Sequence, residues 1–292
     1  MSAELRFAKY QGTGNDFVMI VDLDDHRPLD PESVRALCDR RTGIGADGVI
    51  RVVLADDPGA RFVMDYRNAD GSVAEMCGNG ARCVGKLVHD QKLTEDLAFG
   101  IATLGGIRGL QLHEDHGRVD RVTVEMGTPA FARAAIPMRG PAWETYLGEP
   151  FDIGGVSVTA SAVSMGNPHL VLFLDDEPAS VHVAHIGPAL ERHELFPEGT
   201  NVEFVRMRED GIDARVWERG SGETLACGSG ACAIVAAASE SGLSARRVVV
   251  RFPGGELDVD RRDGGEVLLT GDVEHVFDGV VDLDRLRDRV RT

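Results

Sequence analysis

The 292-residue chain has no uninterrupted apolar run long enough to span a bilayer. Its opening Met1-Ser2-Ala3-Glu4-Leu5-Arg6-Phe7 lacks the basic start and apolar stretch of a signal peptide, so a soluble cytoplasmic protein with no membrane partner is expected. Basic residues are outnumbered, 31 Lys and Arg against 48 Asp and Glu, and the formal charge of −17 disfavours a nucleic-acid partner and reads as solubility. Lysine is scarce: Lys9, Lys86 and Lys92 are the full set. None sits in a phosphate-cradling loop, so a Schiff base to pyridoxal phosphate has no evident seat and no cofactor is expected. Five cysteines, an odd number without an export signal, argue against a disulfide framework and for reduced thiols. The local pairs Cys77/Cys83 and Cys227/Cys232 are separated by glycine-containing runs that enter helices, unlike the tight knuckle of a structural zinc site, and no metal is expected.

What the chain does contain is one motif twice. Glu75-Met76-Cys77-Gly78-Asn79-Gly80-Ala81-Arg82-Cys83 reappears as Leu225-Ala226-Cys227-Gly228-Ser229-Gly230-Ala231-Cys232, an offset of 150 residues (227 − 77). A similar shift aligns Gly14-Asn15-Asp16-Phe17-Val18 with Gly166-Asn167-Pro168-His169-Leu170. So long a period indicates a duplicated domain, not a solenoid or propeller. Each half carries an Asn-bearing turn, a strand and a Cys-Gly-x-Gly helix start.

Short β-rich segments separated by Gly, Asp and Asn turns dominate, among them Phe17–Val21, Arg61–Asp65, Val119–Glu125, Leu170–Leu174, Val202–Arg206, Ile212–Trp217, Val248–Phe252 and Glu266–Leu269. Helices are expected from Asp30-Pro31 to Arg40, with proline at the first helical position, from Gly78 to about Asp90, and from Gly228 to about Glu240. The last is apolar on nearly every face and should be buried. A helix among short strands in each half predicts an α+β fold of two pseudo-symmetric barrel-like domains built around central helices. The expected domains are residues 1–127 and 128–275, meeting near Gly127-Thr128-Pro129, with the tail 276–292 returning to the first. Gly140 to Gly148 is expected to be a loop.

Free amides at a helix start and the positive end of its dipole favour an anion, so Cys77 and Cys227 are expected to be acidified thiols. Inverting a stereocentre by proton transfer calls for a base on one face of a carbon and an acid on the other, and paired cysteines can supply both. The backbone amides of Gly78-Asn79 and Gly228-Ser229 are then candidates to hold a substrate carboxylate and the charge that builds on it. Cys38, Cys83 and Cys232 read as core.

The chain closely resembles the diaminopimelate epimerase family over nearly its whole length. The most specific runs are Asn68-Ala69-Asp70-Gly71-Ser72-x-Ala74-Glu75-Met76-Cys77-Gly78-Asn79-Gly80 and Glu218-Arg219-Gly220-Ser221-Gly222-Glu223-Thr224-x-Ala226-Cys227-Gly228-Ser229-Gly230. The resemblance implies a cofactor-independent epimerase acting on a small molecule, LL- or meso-2,6-diaminopimelate, with Cys77 and Cys227 as acid and base and His169 and Glu218 tuning them. It also implies that Asn15, Asn68, Asn167, Asn201 and Arg219 grip the substrate, with Glu218 suited to an ammonium, and that the protein is a homodimer. Any one of these asparagines could be a turn residue, but their matched places in two halves favour ligand contacts. One departure stands at Gly48, which follows Gly43-Ile44-Gly45-Ala46-Asp47 where family members often carry a substrate-contacting glutamine. Two rival readings exist. Proline racemases and hydroxyproline epimerases use twin cysteines but typically carry histidine where Asn79 stands; a thiol redox or metal-binding protein would not need the Asn and Arg set.

Overall fold

A computed structural model describes residues 4–290. The fold is α+β, rich in strands with few helices. The chain divides into two compact units: described residues up to Val124 together with those from Gly271 form one, and Glu125–Thr270 form the other.

In the first unit Glu274–Asp282 pairs antiparallel with Glu4–Gly12, which pairs antiparallel with Asn15–Val21. The sheet continues parallel to Gly48–Leu54, antiparallel to Phe62–Asn68, parallel to Ala98–Thr103, then antiparallel through Gly106–Asp115 and Arg118–Gly127. The helix Gly78–Asp90 packs against strands from both ends and the middle of this order, so the sheet curls around it. Residues Gly78 through Val88 are all buried. Its charged members are bonded where they lie: Lys86 Nζ donates to the Val119 carbonyl at 2.8 Å, and Arg82 donates to the Thr13 hydroxyl and the Asp272 carbonyl.

The second unit repeats the same succession. Val156–Ser164 pairs antiparallel with Glu149–Ile153 and Pro168–Phe173; the latter runs parallel to Asn201–Arg208, which is antiparallel to Gly211–Glu218. That strand runs parallel to Arg247–Phe252, which turns back into Gly255–Arg261. The helix Gly228–Glu240 touches five of these strands. Ala231 through Ala238 are completely enclosed, the small alanines allowing strands to approach from every side.

The helix expected to reach Arg40 spans only Pro31–Cys38. It starts as read, Asp30 accepting the Ser33 N–H at 2.9 Å with Pro31 next, but it stops early because the Asp39 carboxylate accepts the N–H groups of Arg41 and Thr42 and turns the chain out. The stretch from Gly140 to Gly148 is irregular, with Arg133 packed on Gly140. Two short helices, Val183–Glu191 and Leu283–Val290, were not anticipated by the sequence pattern. Among the described residues no helix is long and apolar enough to cross a membrane.

Burial moves several acidic protons in the first unit. Burial pushes the Cys38 thiol up to about 12 and the Cys83 thiol higher still, and burial with the neighbouring Asp90 carboxylate raises the Tyr10 phenol. The folded chain keeps these protons after the unfolded chain has begun to release its own, near the ordinary thiol value of about 8.5, so stability must fall as pH rises beyond that value. Urea midpoints measured at about pH 8 and about pH 10.5 should show this loss, and equal midpoints would contradict it.

Candidate active site

In the first unit Cys77 is the N-cap of the helix Gly78–Asp90, with extended backbone (φ −142°, ψ 116°), and its sulfur accepts the Gly80 N–H at 3.4 Å. The first intrahelical bond runs from the Ala81 N–H to the Cys77 carbonyl, so helix geometry leaves the amides of Gly78 and Asn79 without an acceptor in the helix. The Cys77 thiol points at Asn15 Oδ1, 3.7 Å away, which also accepts from Asn79 Nδ2 at 3.3 Å. The Asn15 amide is held from behind, because its Nδ2 donates to Asp47 at 2.7 Å and Arg40 bridges Asp47 to Asp16, which pairs with Lys9. Burial alone would raise Asp16, but hydrogen bonds from Arg40 and Lys9 bring it down to about 2, so this anchor stays ionised. Asn68 sits where its strand turns, its amide donating to the Ser72 hydroxyl at 3.0 Å. At Gly48 a Cβ would lie 2.5 Å from the Arg67 carbonyl and 2.6 Å from the Tyr66 ring. Glycine offers no side-chain contact at this position, and any larger residue would have to displace Tyr66 or the strand carrying the Arg67 carbonyl.

The second unit repeats the seat with different surroundings. Cys227 caps the helix Gly228–Glu240 (φ −126°, ψ 119°), accepts the Gly230 N–H at 3.4 Å and lies 3.4 Å from the Ser229 hydroxyl. Asn167 donates to that hydroxyl at 3.4 Å, the counterpart of the Asn79 contact with Asn15 in the first unit. Glu218 accepts from the Cys227 thiol and from the Thr224 hydroxyl. Asn201 is buried and structural as well as polar, donating to the Pro168 carbonyl and accepting the Arg219 N–H, each at 2.9 Å. The Arg219 guanidinium donates to the Glu198 carbonyl at 3.1 Å.

The expectation of an acidified thiol fails at Cys227. Burial, then the Glu218 charge, pushes this thiol well above its ordinary range, overriding the hydrogen bonds from Ser229 and Gly230. Burial likewise raises Glu218 despite its bonds to Thr224 and Cys227. The sequence shows a helix start but not the depth at which the sulfur lies.

His169 is completely buried, and within its unit both ring nitrogens are engaged, Nδ1 with Glu203 Oε1 at 2.6 Å and Nε2 with Asn167 Oδ1 at 2.9 Å. Sequence reasoning missed Glu203, whose only signal is its place two residues after Asn201, as His169 stands two after Asn167. It also missed Glu191, which accepts from the Trp217 indole at 2.7 Å and the Gly220 N–H at 3.1 Å and so holds the turn bearing Glu218 and Arg219.

A family model described as diaminopimelate epimerase matches residues 7–132 and 161–276. A diaminopimelate epimerase of Leptospira biflexa is 41% identical over 282 residues, covering 96% of this chain and all of that protein. One of Desulforudis audaxviator is 44% identical over 281 residues, covering 94% and 98%. Among solved structures, a hydroxyproline epimerase of Agrobacterium vitis superposes with a TM-score of 0.68 and a probable proline racemase of Agrobacterium radiobacter with 0.69. Each is 15% identical, spans 95% of this chain and over nine-tenths of its own, and so shares the fold.

Replacing Glu218 by glutamine removes the negative charge beside Cys227 and should lower its pKa. Thiolate absorbance near about 240 nm, referenced to a Cys227→Ser protein, should then rise at lower pH than in the unaltered chain. An unmoved titration would show that Glu218 does not act on this sulfur.

Proposed function

The chain belongs to the diaminopimelate epimerase family, and on that premise we propose that it interconverts LL- and meso-2,6-diaminopimelate by proton transfer between two cysteines, without a cofactor. The observation that carries the mechanism is the duplicated seat, a cysteine in each unit capping a buried helix and hydrogen-bonded to the third residue beyond it. One sulfur, as thiolate, takes the α-hydrogen; the C–H electron pair stays on carbon as the carbanion, and the other thiol delivers its proton to the opposite face. The roles exchange with reaction direction. Burial and Glu218 keep Cys227 protonated, which suits it to give the proton when Cys77 removes one.

The α-proton is far less acidic than a thiol, so electrostatic stabilisation must close the gap. The amides of Gly78, Asn79, Gly228 and Ser229 are suited to hold the α-carboxylate as charge builds on it. Asn15, Asn68, Asn167, Asn201 and Arg219 supply donors for the non-reacting carboxylate, and Glu218 an acceptor for an ammonium. Fixing that distal end enforces specificity, since a substrate without it leaves buried polar groups unpaired. Cytoplasmic residence and a homodimer belong to the same proposal, and the charge of −17 keeps nucleic acid outside it. Sedimentation equilibrium that returned the single-chain mass of 31.4 kDa would remove the dimer.

Purified protein in deuterium oxide with reductant, and no added cofactor, should wash deuterium into the α-position of diaminopimelate and not of proline. Folded protein that exchanges neither substrate defeats the proposal, and exchange into proline favours the racemase reading. Alanine at Cys77 or Cys227 should lower epimerisation by about 100-fold or more. Arg219→Ala should chiefly raise KM for diaminopimelate, and an unchanged KM would remove Arg219 from the grip.

A further inference from the structure

The two units build the same cysteine seat from different material. Phe17 pairs in register with Gly48, as His169 pairs with Asn201 in the second unit. Two residues further along the partner strands stand Ile50 and Glu203, each under the glycine of its cysteine turn. A Cβ on Gly80 would meet Ile50 Cδ1 at 2.6 Å, and one on Gly230 would meet Glu203 Oε1 at 2.9 Å. All four side chains are wholly buried. The first unit is therefore an internal control: an apolar pair, Phe17 and Ile50, suffices to fold a strand pair beneath a cysteine-capped helix.

The second unit spends stability on an ionisable pair in that place. Glu203 Oε2 is enclosed and meets no hydrogen-bond donor among the described residues. A buried ion pair is weak ground for stability, and a half-satisfied carboxylate is weaker still. Its bonded oxygen begins a chain that ends at the reactive sulfur: Glu203 Oε1 to His169 Nδ1, His169 Nε2 to Asn167 Oδ1, Asn167 Nδ2 to Ser229 Oγ, and Ser229 Oγ to Cys227 Sγ.

We propose that Glu203 is a positioning residue for the epimerase reaction, holding a hydrogen of His169 on Nδ1 and thereby the orientation of the ring, and of Asn167 and Ser229 at Cys227. The inference rests on the function proposed above. A carboxylate oxygen accepts, so Nδ1 donates to it; Asn167 Oδ1 can only accept, so Nε2 donates in turn, which leaves Asn167 Nδ2 to donate to Ser229 and the Ser229 hydroxyl to donate to Cys227. A glutamine in its place can donate or accept, so it fills the same space without setting that direction. The titratable groups that face the chain include Glu218 and Cys227 beside His169 and Glu203 themselves.

Glu203→Gln should fold, lower kcat at least about tenfold with KM within about twofold, and move a limb of the pH–rate profile. Unchanged kcat and an unchanged profile overturn the proposal. The double variant His169→Phe/Glu203→Ile, which copies the first unit, should fold and lose epimerisation; a folded double variant with full activity also overturns it. Histidine 15N spectra of the unaltered protein, with the His169 signals identified by their loss in His169→Asn, read the hydrogen directly. A hydrogen on Nδ1 is expected, and a bare Nδ1 refutes the assignment whatever the variants do. Failure of the unaltered protein to exchange deuterium into diaminopimelate would count against the function, while the 15N result still decides the role of Glu203 in placing that hydrogen.

Discussion

The cap of a helix by a cysteine sulfur is the contact on which both units are organised. An N-cap side chain ordinarily offers oxygen to the third residue of the helix. Here sulfur does so at 3.4 Å in each copy, from Cys77 to Gly80 and from Cys227 to Gly230. Glycine at that third position is what lets the core close beneath the turn, against Ile50 in one unit and Glu203 in the other. The same cap that starts the helix thus places the sulfur, so the proposed chemistry and the folding share one bond.

The copies differ in how the polar groups around that bond are balanced. The first unit steadies Asn15 through a run of ion pairs, Asp47, Arg40, Asp16 and Lys9, that reaches out to a half-exposed arginine. The second buries its ionisable groups: His169 and Glu203 are fully enclosed, and Glu218 and Cys227 share a hydrogen bond in surroundings that favour the proton-bearing form of each. Desolvation outweighs the helix dipole there because the dipole acts with a fraction of a charge, whereas burial withdraws water from a whole one.

Much of this was legible in the sequence. Glycine spacing and the apolar run gave both cysteine helices, Gly78–Asp90 and Gly228–Glu240, with their observed bounds, since start signals and periodicity are local. The early end at Cys38 was hidden because Asp39 reads equally well as a last-turn residue and as a turn former, and only its bonds to Arg41 and Thr42 decide. Glu203 was invisible for a different reason. In Asn201-Val202-Glu203-Phe204-Val205 alternation suggests a solvent-facing charge, but this strand is buried on both faces and Glu203 meets a histidine 34 residues away. The depth of Cys227 is likewise a property of tertiary packing, and it reversed the expected direction of its pKa.

The alanine-lined helix Gly228–Glu240 is gripped along its length by strands, from Ala231 to Ala238. A rod clamped in this way transmits displacement lengthwise with little loss, because dense packing leaves it no slack to absorb the push. An extra methyl group on one of these alanines has no free space to enter and must displace the helix or the strands packed on it, at a cost of about 1–3 kcal/mol. The position of the Cys227 sulfur therefore depends on the filling of an inert interior as well as on the polar groups that surround the thiol.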